Sequence, residues 1–77
     1  MQVQAQGWTL VVCISNVEYP AALECRKIYR VLPDDAAATH QLLRVVDESG
    51  EDYLYPARYF LPVQLPLHVQ EAIFQAV

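Results

Sequence analysis

The residues best able to do chemistry lie in one ten-residue stretch, DESGEDYLYP, at positions 47–56. Its four acids could bind a cation, but a calcium loop alternates its acids along a longer loop that ends in a distant glutamate. Here the acids form two adjacent pairs around Ser-Gly, so their side chains should diverge into water. We therefore predict a solvated hairpin turn. A weak cation site, or salt bridges to Arg44 or Arg58, are the alternatives. The acids are Asp47, Glu48, Glu51 and Asp52.

Tyrosines supply the second kind of chemistry. Tyr53 and Tyr55 alternate along one predicted strand, so both rings should project from the same face. Such flat rings, polar only at the tip, can line a groove for an extended peptide or cage a cation, or they can pack in the core with their hydroxyls at its rim. Core packing is the first expectation for these rings, and a cation cage is the last. The functional prediction is a partner-binding surface. The residues assigned to this surface are Tyr53, Tyr55, Arg58 and Tyr59, with Tyr19 as a second wall.

Catalytic and metal-binding groups are scattered along the chain. Cys13 and Cys25 form no CxxC pair, and His40 and His68 fall in other segments, whereas a zinc site needs about four ligands. No serine stands in a nucleophile elbow, and the chain's 2 glycines provide no phosphate-binding loop. We predict no catalytic residue, no metal site, no cofactor and no small-molecule substrate. A nucleophilic pair of Cys25 and His40 is one alternative, although no local sequence motif supports it.

Both cysteines lie in apolar runs typical of strands. A buried free thiol behaves as a small hydrophobic side chain. We therefore predict two buried thiols. A Cys13–Cys25 disulfide is the alternative if the two strands pair.

The charge of the chain bears on its partners. Nine acids against five bases give a net charge of −4. Nucleic-acid affinity comes mainly from lysine and arginine, which displace counterions, so this balance has the wrong sign. A local cluster of Arg26, Lys27 and Arg30 leaves one alternative function: a small nucleic-acid-binding barrel with tyrosines that stack on bases. A protein partner or a homo-oligomer is the favoured prediction.

Turn signals divide the chain into short strands. Gly50 can supply the positive φ of a tight hairpin, and a strand over residues 25–32 should turn Tyr29 and Val31 toward the core. Short strands separated by turns at this spacing are typical of a small barrel. The five predicted strands cover residues 8–14, 25–32, 41–46, 51–55 and 59–63.

Helical signals are weaker and lie between or after the strands. Asp34 should cap a single turn at residues 34–38, and residues 56–58 should form a 3₁₀ turn. Pro66 should begin a terminal helix at residues 67–76. Its predicted apolar face consists of Val69, Ala72, Ile73 and Ala76. We predict a flexible N-terminus over residues 1–7 and a single small domain over residues 8–77.

Composition limits the setting of the domain. The apolar content is 55%, which is high for a small domain and indicates either a dense core or a surface covered by another chain. The N-terminus lacks the basic start and long apolar run of a signal peptide. No segment approaches the roughly 20 apolar residues of a membrane span. We expect a cytoplasmic protein without membrane association.

Two stretches carry a resemblance to known proteins. Residues 55–60, YPARYF, resemble the end of SH3-like barrels, where a strand runs into a proline, a small turn with an aromatic residue and the closing strand. The acidic motif and the groove tryptophan of peptide-binding SH3 domains have no counterpart, because Trp8 lies near the start of the chain. The longer stretches CIxN (13–16), LExxKxYRVLPD (23–34) and LRVVDESGEDYLYP (43–56) are similar to a family of small bacterial proteins without an assigned activity.

The resemblance implies a stand-alone bacterial domain and supplies no catalytic residue. Together with the strand pattern, it predicts a mainly β fold, a small five-stranded SH3-like barrel with a short C-terminal helix. The predicted function is a non-catalytic protein-interaction or self-association module.

Overall fold

A single antiparallel sheet organises the chain. The computed structural model describes residues 9–75, so residues 1–8 and 76–77, with the predictions made for them, lie outside the described part. The strands are β1 (Thr9–Cys13), β2 (Ile28–Leu32), β3 (Leu42–Val46), β4 (Asp52–Pro56) and β5 (Phe60–Val63). Their order across the sheet is β4-β3-β2-β1-β5.

The described sheet is open, with β4 and β5 at its two edges. Three short helical segments join or follow the strands: α1 (Asp35–Ala38), a 3₁₀ turn (Ala57–Tyr59) and α2 (Leu67–Gln75). The predicted mainly β architecture with a short C-terminal helix is confirmed. Closure into a barrel is not seen.

Local turn chemistry produces the predicted connections. Gly50 has φ +84°. Asp47 N donates to Glu51 O at 3.0 Å, which closes the hairpin turn. Asp34 caps α1, because its Oδ1 accepts a 2.9 Å hydrogen bond from Ala37 N. The hairpin, the cap and the 3₁₀ turn were all predicted, and all are confirmed.

The start of β2 corrects the prediction. The strand begins at Ile28 rather than at residue 25, because Arg26 adopts φ +71°. Arg26 N donates to Cys13 O at 2.7 Å, and Cys13 N donates to Lys27 O at 2.9 Å. Two residues thus oppose one, as in a β-bulge, and the alternation of side chains is lost there. Cys13 is buried as predicted, but Cys25 is exposed, so the prediction of a buried Cys25 is wrong.

The apolar face predicted for α2 is also wrong in part. Ala72 and Ile73 are exposed, whereas Gln70 is buried. Its Nε2 donates to Leu65 O at 2.9 Å, which ties the helix to the segment before it. The spacing of apolar residues predicts an apolar face on a helix, but it does not determine whether other elements pack against that face. Neither helix within residues 9–75 is long and apolar enough to cross a membrane.

A cluster of eight buried side chains forms the core, and Leu10 of β1 is buried outside this cluster. Tyr29 is buried and Val31 packs against the core, as predicted. Leu23 is fully buried although it belongs to the loop between β1 and β2. This loop therefore contributes a side chain to the core. The buried cluster consists of Val11, Cys13, Leu23, Tyr29, Val45, Tyr55, Tyr59 and Phe60.

Candidate functional site

An open cleft of about 640 Å³ lies beside β4. One wall belongs to the loop between β1 and β2, and the other belongs to β4, with the hairpin turn at one end. The lining is mainly apolar. The lining residues are Tyr19, Ala21 and Ala22 from the loop, Tyr53, Leu54 and Tyr55 from β4, and Asp47, Glu48 and Ser49 from the turn.

Three of the predicted tyrosines meet in this cleft. The rings of Tyr19 and Tyr55 form a T-shaped pair, with centroids 4.9 Å apart and planes at 88°. Tyr55 is buried, whereas Tyr19 is 38% exposed and Tyr53 is 51% exposed. The structure therefore divides the three rings between two roles, because Tyr55 packs in the core while Tyr19 and Tyr53 present ring surface to solvent.

The other two predicted residues do not line the cleft. Tyr59 is buried, and its hydroxyl donates to Glu18 Oε1 at 2.6 Å. The Arg58 guanidinium carbon lies 5.3 Å from the centroid of the Tyr59 ring, an arrangement typical of a cation–π contact. Tyr59 supports the cleft only indirectly, since its ring centroid lies 6.2 Å from that of Tyr19.

Six lining residues were not assigned to the partner surface: Ala21, Ala22, Leu54, Asp47, Glu48 and Ser49. Leu54 lies between the two tyrosines on a strand at the edge of the sheet. The two alanines follow Pro20, and their small side chains leave room beside the larger rings. The run of small residues after a proline was the available signal, but only the folded loop places it opposite β4.

The prediction of a solvated turn is wrong for Asp47, whereas Glu48, Glu51 and Asp52 are exposed as predicted. The Asp47 side chain is buried, Tyr55 Oη donates to Oδ2 at 2.5 Å, and Ser49 donates to Oδ1 through its N–H at 2.9 Å and its hydroxyl at 2.6 Å. The local bonds from Ser49 form an Asx turn that holds the carboxylate inward. Burial by itself raises the pKa of Asp47, but the bonds from Ser49 and Tyr55 outweigh it, so the pKa lies below its usual value.

Glu48 is exposed, and its carboxylate bonds to two side chains near the start of β2. Lys27 Nζ lies 2.8 Å from its Oε1 and 2.6 Å from its Oε2, and Tyr29 Oη donates to Oε2 at 2.5 Å. The Lys27 bond and then the Tyr29 bond lower the pKa of Glu48. Glu48 N donates to Ala22 O at 3.0 Å, which joins the hairpin turn to the opposite wall of the cleft.

The structure spreads the basic cluster over different surroundings. Lys27 is paired with Glu48. Arg26 is exposed in the turn before β2, while the Arg30 guanidinium carbon lies 5.4 Å from the ring centroid of Phe74 in α2. Lys27 thus has its charge compensated by an adjacent carboxylate.

Arg44 makes one of the salt bridges considered for the acidic stretch. Its Nη1 lies 3.0 Å from Asp52 Oδ2, and its Nε lies 2.8 Å from Asp34 Oδ2. Arg44 therefore connects the hairpin to the N-terminus of α1. The bond to Asp52 is exposed and the bond to Asp34 is part-buried. The exposed bond contributes mainly to positioning, since exposed pairs stabilise little.

The remaining chemistry of the described chain is limited. Among residues 9–75, no three His, Cys, Asp or Glu side chains gather where they could hold one metal ion. A scan against protein-family models, a search of curated proteins and a search of solved structures found no match to this chain. The resemblance to small bacterial SH3-like proteins therefore stays a prediction.

Proposed function

We propose that the protein is a non-catalytic interaction module that binds an extended protein segment in the cleft beside β4. The observation that carries this proposal is the pair of partly exposed rings, Tyr19 and Tyr53, on opposite walls of an apolar cleft. Aromatic rings contribute large contact areas while losing little conformational entropy on binding. Each ring could contact an apolar side chain inserted between them.

The sheet edge supports an extended partner. β4 has β3 on one side and no second strand neighbour in the described sheet. Alternate peptide groups of such an edge strand point away from the sheet and can pair with an added strand. The opposite edge, β5, contains Pro62, which has no N–H to donate. Residues 52–55 of β4 contain no proline, so β4 is the better edge for strand addition.

The charge of the cleft and of the whole chain narrows the class of partner. Asp47 lines the cleft and accepts hydrogen bonds from the uncharged donors Ser49 and Tyr55, whereas the Glu48 carboxylate is already paired with Lys27. The chain has a net charge of −4. A bound segment with Lys or Arg next to its apolar residue would match this charge and could place its cation near a tyrosine ring. The proposed partner is thus a basic, apolar segment in extended conformation.

We also propose that the sheet belongs to an SH3-like barrel. The antiparallel order β4-β3-β2-β1-β5 and the 3₁₀ turn before β5 support this assignment. The resemblance to small bacterial proteins also supports a bacterial setting, and a cytoplasmic location stays a prediction. An experimental structure of the full chain tests the fold, and a sheet whose β4 and β5 sides share no packed core would contradict it.

Peptide selection tests the binding function. Extended peptides of random sequence, displayed against the folded protein, should yield binders that combine an aliphatic or aromatic residue with Lys or Arg. We expect Tyr53→Ala to weaken the best binder by about tenfold, because a central aromatic contact is removed. Leu61→Ala is the matched control, since Leu61 is 53% exposed on the opposite edge strand. It should leave the dissociation constant unchanged.

The other outcomes are distinct. Equal loss in both variants, or no selected peptide, would contradict the proposal. Self-association that depends on concentration and is lost in Tyr53→Ala would assign the cleft to a second copy of this chain. Salt-dependent binding of single-stranded oligonucleotides that requires Arg26 and Arg30, but not Tyr53, would favour the nucleic-acid function instead.

A further inference from the structure

The corner where β1 meets the turn before β2 contains two free thiols. Cys13 is the last residue of β1, and its backbone bonds both to Arg26 and to Lys27, at 2.7 and 2.9 Å. Cys25 precedes this pair directly in sequence. The bulge therefore holds the backbone of Cys25 next to the end of β1.

Both thiols interact with the same short segment. Cys13 Sγ donates to Ser15 O at 3.2 Å, and Cys25 Sγ donates to Asn16 Oδ1 at 3.5 Å. The two side chains also interact with one another. Burial raises the pKa of the Cys13 thiol, and the neighbouring Cys25 thiol raises the pKa further, against the lowering effect of the Ser15 bond. One thiol is buried and the other is exposed.

We propose that Cys13 and Cys25 are a reversible oxidation site that closes to an intramolecular disulfide in the presence of glutathione disulfide. Neighbouring backbone positions and converging side chains are what a disulfide requires. The exposed thiol gives a small oxidant access, and the buried thiol resolves the intermediate. The site does not depend on the proposed binding function.

The reaction proceeds by two thiol–disulfide exchanges. The Cys25 thiol loses its proton, and its sulfur attacks one sulfur of glutathione disulfide, which breaks the S–S bond and releases one glutathione thiolate. The Cys13 thiol then loses its proton and attacks the Cys25 sulfur of the mixed disulfide, which releases the second glutathione. The two cysteines lose two electrons and two protons, and glutathione disulfide is reduced to two glutathione thiols.

The experiment uses the reduced full chain in glutathione buffers with an increasing share of glutathione disulfide. Samples are quenched with acid, and intact masses are measured. We expect wild type to lose the mass of two hydrogens, and reduction with dithiothreitol should restore the original mass. No Lys or Arg separates the cysteines, whereas Glu18 and Glu24 do. Cleavage after glutamate therefore gives two peptides that remain linked only when the disulfide is present.

Two variants separate the steps. Cys13→Ala should stop at the mixed disulfide and gain the mass of one glutathionyl group, because Cys25 keeps its access while the resolving thiol is gone. Cys25→Ser should change little, because the remaining thiol is buried. Accumulation of only the mixed disulfide in wild type, or of disulfide-linked dimers, would overturn the proposal. Since wild type alone decides this point, a folding defect in either variant leaves the test intact.

The oxidised form offers a second readout. The disulfide would close the loop of residues 14–24, which restricts the unfolded chain. We expect the urea midpoint of wild type to rise on oxidation and to return on reduction. An unchanged midpoint in a chain shown to be disulfide-linked would argue against a bond that fits the native geometry.

Discussion

Three buried tyrosines each donate a hydrogen bond from the hydroxyl group to a carboxylate. The hydroxyl of Tyr55 donates to Asp47, that of Tyr29 to Glu48 and that of Tyr59 to Glu18. A buried hydroxyl needs a partner, and an ionised acceptor gives a stronger bond than a neutral one. These pairs let the core contain large rings without unsatisfied polar groups. They also tie the acids of the turn to the sheet.

The Tyr55–Asp47 pair gives a prediction at the residue scale. Tyr55→Phe should lower the free energy of unfolding by about 1–3 kcal/mol, because Asp47 keeps its burial but loses a donor. The control is Tyr53→Phe, whose hydroxyl binds Glu51 Oε1 at 3.0 Å on the surface. Its effect should be within about 0.5 kcal/mol. Urea unfolding followed by circular dichroism measures both values. Equal effects of the two substitutions would contradict a special role for the buried pair.

At the scale of elements, the cleft depends on how the β3–β4 hairpin meets the loop between β1 and β2. The hairpin presents Tyr53 and Tyr55, and the loop presents Tyr19. The Glu48 N to Ala22 O bond joins the two elements directly. Leu23 follows Ala22 in sequence and is fully buried, so it anchors the loop in the core. The distance between the walls of the cleft is therefore determined by packing as well as by strand pairing.

The hairpin turn gives a prediction at this scale. Gly50 has φ +84°, and a Cβ added there would meet no atom within 4 Å. Gly50→Ala should therefore cost about 1–2 kcal/mol from backbone conformation alone. Gly50→Asn should cost less, because asparagine visits positive φ more readily. Thermal or urea unfolding distinguishes the two variants. An alanine variant as stable as wild type would show that the turn can adopt another conformation.

At the scale of the whole molecule, acids dominate the charge, and several of them are held by native bonds. The pKa of Asp34, Asp47 and Glu48 lies below the ordinary value in each case. A carboxyl with a lowered native pKa binds fewer protons in the folded state than in the unfolded state. Such a group stabilises the fold above its unfolded pKa, and this contribution is lost as pH falls through the folded pKa.

Stability should therefore fall with acidification. We expect a stability plateau above about pH 5 and a decrease below about pH 4, near the unfolded carboxyl values. Glu48→Gln should reduce the slope of this decrease, because one linked carboxyl is removed. Glu71→Gln, which removes an exposed carboxyl on α2, is the control for a general change in net charge. Urea unfolding at a series of pH values provides the measurement. A free energy of unfolding that stays constant down to pH 3 would contradict the linkage.

Local sequence determined much of the framework. Gly50, the Asp34 cap and the proline before the 3₁₀ turn act through φ, ψ and bonds between near neighbours, so the hairpin, α1 and that turn were predictable. The β-branched and aromatic runs located all five strands within a few residues. The same reasoning identified Tyr19, Tyr53 and Tyr55 as candidates, because ring chemistry is a property of the residue.

Only the tertiary structure decided which side chains are buried and which surface they form. Glu18 and Tyr59 are 41 residues apart, and Tyr29 and Glu48 are 19 apart. No local pattern encodes such pairs, because burial results from contacts contributed by the entire fold. The burial of Asp47, the loop wall of the cleft and the exposure of Cys25 all depend on tertiary packing. Local sequence determined the backbone conformation of the β3–β4 turn and of the 3₁₀ turn. Tertiary packing determined which of their side chains are buried and which are exposed.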